Sequence, residues 1–517
     1  MVAGLVAVPA PTMATEAVAR IGLSVDIETL DWHRTRFRDE NRVAADLCMG
    51  LLTTDAELRP VPGAAQSWTV SPDGRTYTFR LRAEGRWSDG SPVTAPDFVA
   101  AWRRLVAPAT ASTATEALAG VGGAADIVAG VLPVTALGVE APDNLTFTVH
   151  LDRPRSEFLE AVSVNPALCP LHPAAAAAGV VETAPGRLIG NGPFVLMDRR
   201  PQEGVVLARN PQFWDAAAVK LDRIEYKVVP DSQGQLARFR TGQLDVADAV
   251  PRPELDWIRA NLPESLRAAP GSTTLYLAVA PRTWRADARG RRALGLAIDR
   301  KRLAGAVLRG ADEPAHGLVP PGASGFTGQA FAGADWPEDR RADTARRLLA
   351  EVADGRQRPA PIELLHAATP ASKQIAIAVA AMWGDVLGLQ VQLLAVDGPT
   401  LLRRLRQGEY DIALAGYAAP RASAWMALLK QTGLRTDVGL RYDNAAFEAL
   451  VERAAATQDD GEASRLLAEA EQLILADMAV IPLVHPKALV LVAPSLSGVI
   501  LTPRGLNAPR HWARVSR

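Results

Sequence analysis

The residue types that could carry catalysis or hold a charged ligand are few and scattered. In RWSDGSPVTAPDFVAAWRRL, Asp89 and Asp97 could pass for an acid/base pair. Ser88-Asp89-Gly90 reads as a turn, however, and Thr94 three residues before Asp97 reads as a capping box, so both carboxylates are assigned structural duties. The histidines (His33, His150, His172, His316, His366, His485 and His511) include no pair four residues apart, and no G-x-S-x-G elbow occurs. His150 falls on the polar side of LTFTVHL and is expected to be solvated. A phosphate-cradling G-x-x-x-x-G-K-[ST] is absent, so no direct ATP binding through such a loop is expected. GVGGAA at 120–125 spells G-x-G-x-x-A but follows the helical TEALA, where a dinucleotide site needs a strand; a flexible turn is expected. Cys48 and Cys169 belong to no C-x-x-C or Cys/His cluster, which argues against structural zinc. Two buried free thiols are the favoured reading, with a disulfide as the alternative if the chain is exported. No catalytic residue, metal site or cofactor is nominated.

The 517-residue chain is 48% hydrophobic and 22% charged, enough to bury a large core and to divide into more than one domain. Its formal net charge is −1, with arginines scattered among acids, so no basic footprint for nucleic acid stands out. No run approaches the roughly 18 apolar residues of a spanning helix. MVAGLVAVPAPTMATEA is small and apolar with cleavage-like contexts around Ala14, but lacks a positive start. Residues 1–19 are expected to be the remnant of an export signal, or a disordered N-terminus.

The elements follow from periodicity. WTVSPDGRTYTFRLR is a hairpin whose Tyr77, Phe79 and Leu81 face inward. Phe98, Ala101, Trp102 and Leu105 share one helical face. LTFTVHL, GPFVL, GVVLARN and DRIEYKVV are strands, and SQGQLARFRTGQLDV is helical. From about residue 272 the pattern changes: TLYLAVA is a strand, RRALGLAIDRKRLAGAVLRG is helical with Asp299 capping its second half, and DTARRLLAEVADG is a helix stopped by Gly355. IELLHAAT, SKQIAIAVAAMWGDVLG, LQVQLLAV, GPTLLRRLRQG and YDIALAGY then alternate as βαβαβ, which right-handed crossovers would lay parallel in one sheet. AAFEALVERAAAT and GEASRLLAEAEQLILAD are amphipathic helices, and IPLVHPKALVLV reads as paired strands that return the chain to the earlier β region. Ligands of open α/β sheets bind beyond the carboxyl ends of strands. Here those ends carry 417–421 and the stretch His366 to Ser372.

The order of motifs resembles the solute-binding proteins of bacterial ABC importers, specifically the peptide-binding family 5. The resemblance runs nearly end to end: DLCMGLLTTD, PGAAQSW, RWSDGSPVTAPDFVAAWRRLVAPATAS, NGPFVL, ARNPQFWD, RFRTGQLDV, RRALGLAIDR, IAIAVAAMW and QGEYDIALAGY. It implies an α/β fold of the type 2 periplasmic-binding kind, with two lobes, a hinge and an additional inserted domain. Lobe one would comprise 20–48, 190–275 and 488–517, the inserted domain 49–189, and lobe two 276–487. The implied function is capture of a peptide or peptide-like solute between the lobes by an exported, periplasmic, monomeric protein that delivers it to membrane permease subunits. A sensor or non-transport peptide binder of the same fold is the alternative, with a hydrolase further behind.

By similarity, Arg36-Phe37-Arg38 in lobe one and Gly416-Tyr417-Ala418 in lobe two should flank the ligand, pairing through backbone groups. The departures concern side chains. Where the family's oligopeptide binders place an aspartate on the peptide amine this chain has Pro420, and a buried ammonium without its carboxylate is costly. Positions used around the peptide carboxylate fall on Leu405, Leu414 and Ser372, and an aromatic of the inserted domain is Ala114. Arg36, Arg38 and Arg421 bring positive charge to the expected cleft, unless acids such as Asp39 and Glu40 pair with them. The expected ligand is therefore something other than a free, unmodified short peptide: acidic, N-blocked or longer. Trp383 and Trp425 are further candidates to wall a pocket, with Trp383 assigned to the core.

Overall fold

The computed structural model describes residues 16–55, 59–155, 158–280, 283–321, 323, 326, 328–353, 361–418, 426, 442–457, 459–503 and 505–515. Two large mixed sheets dominate. The first has seven strands in the order Leu266–Ala269, Ala488–Val492, Val246–Ala247, Val18–Leu23, Arg223–Val228, Gly204–Arg209 and Phe194–Arg200. Val18–Leu23 is apolar at nearly every position and almost wholly buried, as suits a strand covered on both faces; it runs parallel to both neighbours. It begins inside the stretch expected to be leader. The second sheet has six strands: Asp312–Pro314, Val480–Pro486, Thr273–Val279, Ile412–Ala418, Ile362–Ala367 and Val391–Val396.

The βαβαβ series lies in this second sheet. Ile362–Ala367 pairs in parallel with Val391–Val396 on one side and Ile412–Ala418 on the other. Local chemistry starts and stops its helices. Thr369 caps Pro370–Leu387 and Gly388 ends it at φ 67°; Asp397 caps Gly398–Gln407 and Gly408 ends it at φ 66°. Trp383 is fully buried and donates its indole N–H to the Leu294 carbonyl at 2.9 Å, a core residue as expected. Asp299 accepts the Arg302 amide, but the helix expected around it is broken: Ala288–Leu296 stops, and the capped turn Arg300–Arg302 runs into a π-helical Leu303–Val307. The helix within 232–246 likewise ends at Arg240, before the short strand Val246–Ala247. Gly355 lies outside the described residues.

Residues 49–189 contribute a four-stranded antiparallel sheet, Ala65–Val70, Thr76–Leu81, Thr146–His150 and Val139–Asp143. Tyr77, Phe79 and Leu81 are buried and alternate with exposed or half-buried residues. Asp97 accepts the Thr94 amide at 2.8 Å and the Trp87 indole at 3.3 Å, while Asp89 accepts the Ser91 amide at 2.9 Å. Cap and turn duties thus account for both carboxylates. His150 is exposed, with Glu140 at 3.2 Å. The 120–125 stretch is a packed turn: the Gly122 amide donates to His150 O, Gly138 N–H returns a bond to Gly122 O, and Gly123 (φ 74°) opens the five-residue helix Ala124–Val128. One apolar core runs without a break from this region into the seven-stranded sheet, and a second fills the six-stranded one.

Two expectations are corrected. Cys48 and Cys169 form a disulfide, Cα to Cα 6.0 Å, instead of two free thiols. Both are 2% exposed, so the burial expected of them holds, and the pairing is the one given as the alternative for an exported chain. Val480–Pro486 and Ala488–Val492 are not partners: the first pairs with Thr273–Val279 and the second with Leu266–Ala269, so the chain changes sheet at Lys487. It makes the opposite change at 270–272, slightly before the expected boundary at 275. The two crossings touch, because a Cβ placed on Gly271 would sit 1.9 Å from the Pro486 carbonyl oxygen.

His485 is buried beside these crossings, its Nδ1 3.0 Å from the Thr274 hydroxyl, which itself donates to Leu318 O at 2.6 Å. Burial, chiefly, lowers its pKa to about 4 from an ordinary 6.5. Below pH 6.5 the unfolded chain takes up a proton that the folded one refuses, so this group erodes stability as pH falls from 6.5 to about 4. Urea unfolding of His485→Gln is expected to lack this loss, which in the wild type reaches at most about 3 kcal/mol.

Candidate functional site

The strand Ile412–Ala418 changes character along its length. Ile412, Ala413, Leu414 and Ala415 are buried, whereas Gly416 and Ala418 are exposed and Tyr417 is half-buried. On one side it pairs with Thr273–Val279 throughout, Gly416 opposite Leu275 and Ala418 opposite Thr273. On the other, its ladder with Ile362–Ala367 covers Leu364↔Ile412 and Leu365↔Ala413, and the strand runs on past those pairs. Because these strands are parallel neighbours, their exits at 368–372 and 416–418 lie at the same end of the sheet. Thr273, first residue after one crossing, lies at that end too. The strand end therefore opens beside the place where the chain passes between the two sheets.

Ser372 stands in the first turn of Pro370–Leu387, half-buried. Its amide and hydroxyl both engage the Thr369 hydroxyl, at 3.2 and 3.0 Å, so its present role is capping. Leu405 and Leu414 are 3% and 4% exposed and belong to the core, and Ala114 packs against the other core. None of these brings charge to the cleft. Pro420, Arg421 and Trp425 lie outside the described residues.

On the seven-stranded side, Arg36, Phe37 and Arg38 are exposed at the start of the helix Arg38–Leu47. Part of the backbone expected to pair with a ligand is engaged within the protein. The amides of Arg36 and Phe37 already donate to the Glu40 carboxylate, at 2.7 and 3.1 Å, and Phe37 O accepts the Asn41 amide at 3.1 Å. Arg38 meets Asp248 at 2.6 Å, and Arg42 shares that carboxylate at 3.2 Å. Pairing with an acid thus holds for Arg38, chiefly through Asp248; Asp39 is 3.6 Å away.

The loop before this segment is anchored from the inserted region. Arg104, on the helix Ala95–Val106, grips Asp31 at 2.7 and 3.0 Å and donates to His33 Nδ1 at 2.8 Å. Burial and the adjacent guanidinium push the His33 pKa down to about 3, so the ring is a neutral acceptor. Sequence reasoning missed Asp248, which lies 210 residues from Arg38 and carries no local signal. Glu40 was named only as an acid that could pair with the arginines; its place as the third residue of the helix, from which a carboxylate returns to the cap, was not read from the sequence.

Further contacts join the surroundings of the two sheets. Arg252 pairs with the buried Asp312, and Arg259 donates to the carbonyls of Arg309 and Gly310, both at 3.1 Å. A cleft of about 670 Å³ beside them is lined by Asp256, residues 305–307, Arg309, Gly310 and Gln374. No cluster of His, Cys, Asp and Glu able to hold a metal occurs among the described residues.

A family model described as bacterial extracellular solute-binding proteins, family 5 Middle, matches residues 59–433. The periplasmic oligopeptide-binding protein of Salmonella typhimurium is 33% identical over 481 residues, spanning 92% of this chain and 88% of the relative. A probable deoxycholate-binding periplasmic protein of Escherichia coli is 32% identical over 501 residues, 95% and 92% of the two chains. Among solved structures, a periplasmic murein tripeptide binding protein in its unliganded open form superposes with a TM-score of 0.86 at 29% identity, covering 98% of each chain. The oligopeptide-binding protein of Haemophilus influenzae in complex with RPPGFSPFR gives 0.79 at 27%, covering 98% of this chain and 100% of that one.

Proposed function

The chain belongs to the family 5 bacterial extracellular solute-binding proteins, and from that premise we propose that it captures a peptide or peptide-like solute for an ABC importer. It is a periplasmic binding subunit of the type 2 periplasmic-binding fold, and its relatives are binding proteins. In this reading the seven-stranded sheet with residues 49–189 is one lobe and the six-stranded sheet the other. The crossings at 270–272 and Lys487 form the hinge. The protein acts as a monomer, performs no covalent step and leaves ATP to its partners, closing on its solute and presenting the closed form to permease subunits.

The observation that carries the reading is the strand Ile412–Ala418, whose exposed end runs past its parallel partner beside the crossings. An extended main chain could add there as a further strand, which supplies affinity without fixing side chains. The buried leucines at 405 and 414 support a solute whose carboxyl end is not read by charge at those positions. Relatives named for oligopeptides, murein peptides and deoxycholate accord with a scaffold adaptable in solute.

Calorimetry with a pool of tri- to pentapeptides, free and N-acetylated, tests this directly. Binding is expected to favour the acetylated pool; equal or stronger binding of the free pool would remove the argument from Pro420. Gly416→Val is expected to weaken binding at least tenfold. Its side chain would stand at the exposed strand end, where a Cβ already comes within 2.7 Å of the Leu275 side chain. Unchanged affinity in that variant would dismiss the strand end as the ligand wall.

A further inference from the structure

One buried carboxylate holds the loop that carries Arg36–Arg38. Glu40 is 1% exposed. Its Oε1 accepts the amides of Glu28 at 3.1 Å and Thr29 at 3.3 Å; its Oε2 accepts those of Arg36 at 2.7 Å and Phe37 at 3.1 Å. The bond to Phe37 is what the third residue of a helix returns to its cap. The other three exceed capping and join two stretches of loop across one charge. Such charge-assisted bonds are short and strong, and a buried carboxylate deprived of them is costly. Asp39 beside it does different work, accepting the amides of Ser24 and Val25 at the exit of the first strand.

The arrangement decides what this wall can offer. Two of its amides are turned toward Glu40 and are spent. Its side chains are exposed: Phe37 is 43% exposed, and the Arg36 guanidinium meets no carboxylate within 4 Å among the described residues, whereas Arg38 is paired with Asp248, which Arg42 shares.

We propose that Glu40 is the positioning residue of this wall, and that by holding the Arg36 and Phe37 amides inward it makes the wall select side chains instead of main chain. The selected feature is an apolar group against the Phe37 ring with an acidic group beside it for Arg36. The proposal rests on the reading of Arg36–Arg38 as a ligand wall.

Glu40→Gln keeps the size but presents an NH₂ to two of the four amides, so it separates positioning from packing; Asp39→Asn is the control that leaves the Glu40 bonds in place. Hydrogen exchange of fragments covering 24–40 in the unliganded protein is expected to quicken at least tenfold in Glu40→Gln at Glu28, Thr29, Arg36 and Phe37, and not at Ser24 or Val25. Capture from a random N-acetylated tripeptide pool, read by mass spectrometry, is expected to enrich apolar residues together with Asp or Glu in the wild type and in Asp39→Asn, with that enrichment falling at least fivefold in Glu40→Gln. Unchanged exchange at those four amides, or a uniform loss of capture with the same enrichment pattern, would overturn the proposal. A wild type that captures nothing overturns the ligand wall itself, and the exchange result then decides separately whether Glu40 holds the loop.

Discussion

Replacing Cys48 and Cys169 by serine is expected to produce the largest loss of stability of any single pair change in this chain. The bridge closes a sequence separation of 121 residues and ties the end of the helix Arg38–Leu47 to the turn after Pro166–Leu168. In the chain-entropy account a loop of that length restricts the unfolded chain by about 5 kcal/mol. Both sulfurs sit in the core shared by residues 49–189 and the seven-stranded sheet, so the native state also keeps two polar hydroxyls buried in the variant. Calorimetric scans should show the transition of that core lowered by on the order of ten degrees, with the transition of the six-stranded core moved far less. Coincident shifts of both would mean that the two cores unfold as one. The same loss is expected for wild-type protein scanned with excess reductant.

Gly271→Val should have the largest effect on the lobes' movement. The chain passes between the sheets at 270–272 and at Lys487, and the first passage has no room for a side chain: a Cβ would lie 1.9 Å from Pro486 O and 3.1 Å from Pro486 C. Those atoms are backbone, so neither can rotate away, and the crossings must separate by more than an ångström. Overpacking of this kind costs about 3 kcal/mol. Since these crossings are the covalent links between the two sheets, spreading them resets the resting angle between the lobes. Small-angle scattering should show a changed radius of gyration without solute and little further change with it, and affinity for captured peptide should fall at least tenfold. A variant that scatters and binds as the wild type would show that the crossings are not the hinge.

The sequence made local structure legible where one side chain acts on its own neighbourhood. Thr94 with Asp97, the Asp73-Gly74 turn and the cap at Asp299 each work within a few residues, and each is found. The parallel βαβαβ sheet was legible for a related reason, because the handedness of crossovers leaves one arrangement. Pairings set by the whole fold were not. Apolar IPLVH and ALVLV look alike as strands, and although the return of this segment to the earlier β region was read, nothing in their pattern says that the two strands pair in different sheets instead of with each other. Cys48 and Cys169 are brought together by helix and turn packing, which spacing does not encode. At the site, the exposed strand end could be foreseen from the Gly-Tyr step. The inward turn of the Arg36 and Phe37 amides could not, since it depends on Glu40 reaching a second stretch of loop at 28–29.

Native mass spectrometry of the exported protein, purified without unfolding and then offered a peptide pool, tests the central claim most directly. The expected result is a complex heavier than the polypeptide by one peptide or peptide-like solute, released on denaturation and held in one copy per chain. Observation of the bare polypeptide alone, both as purified and after exposure to the pool, would contradict it.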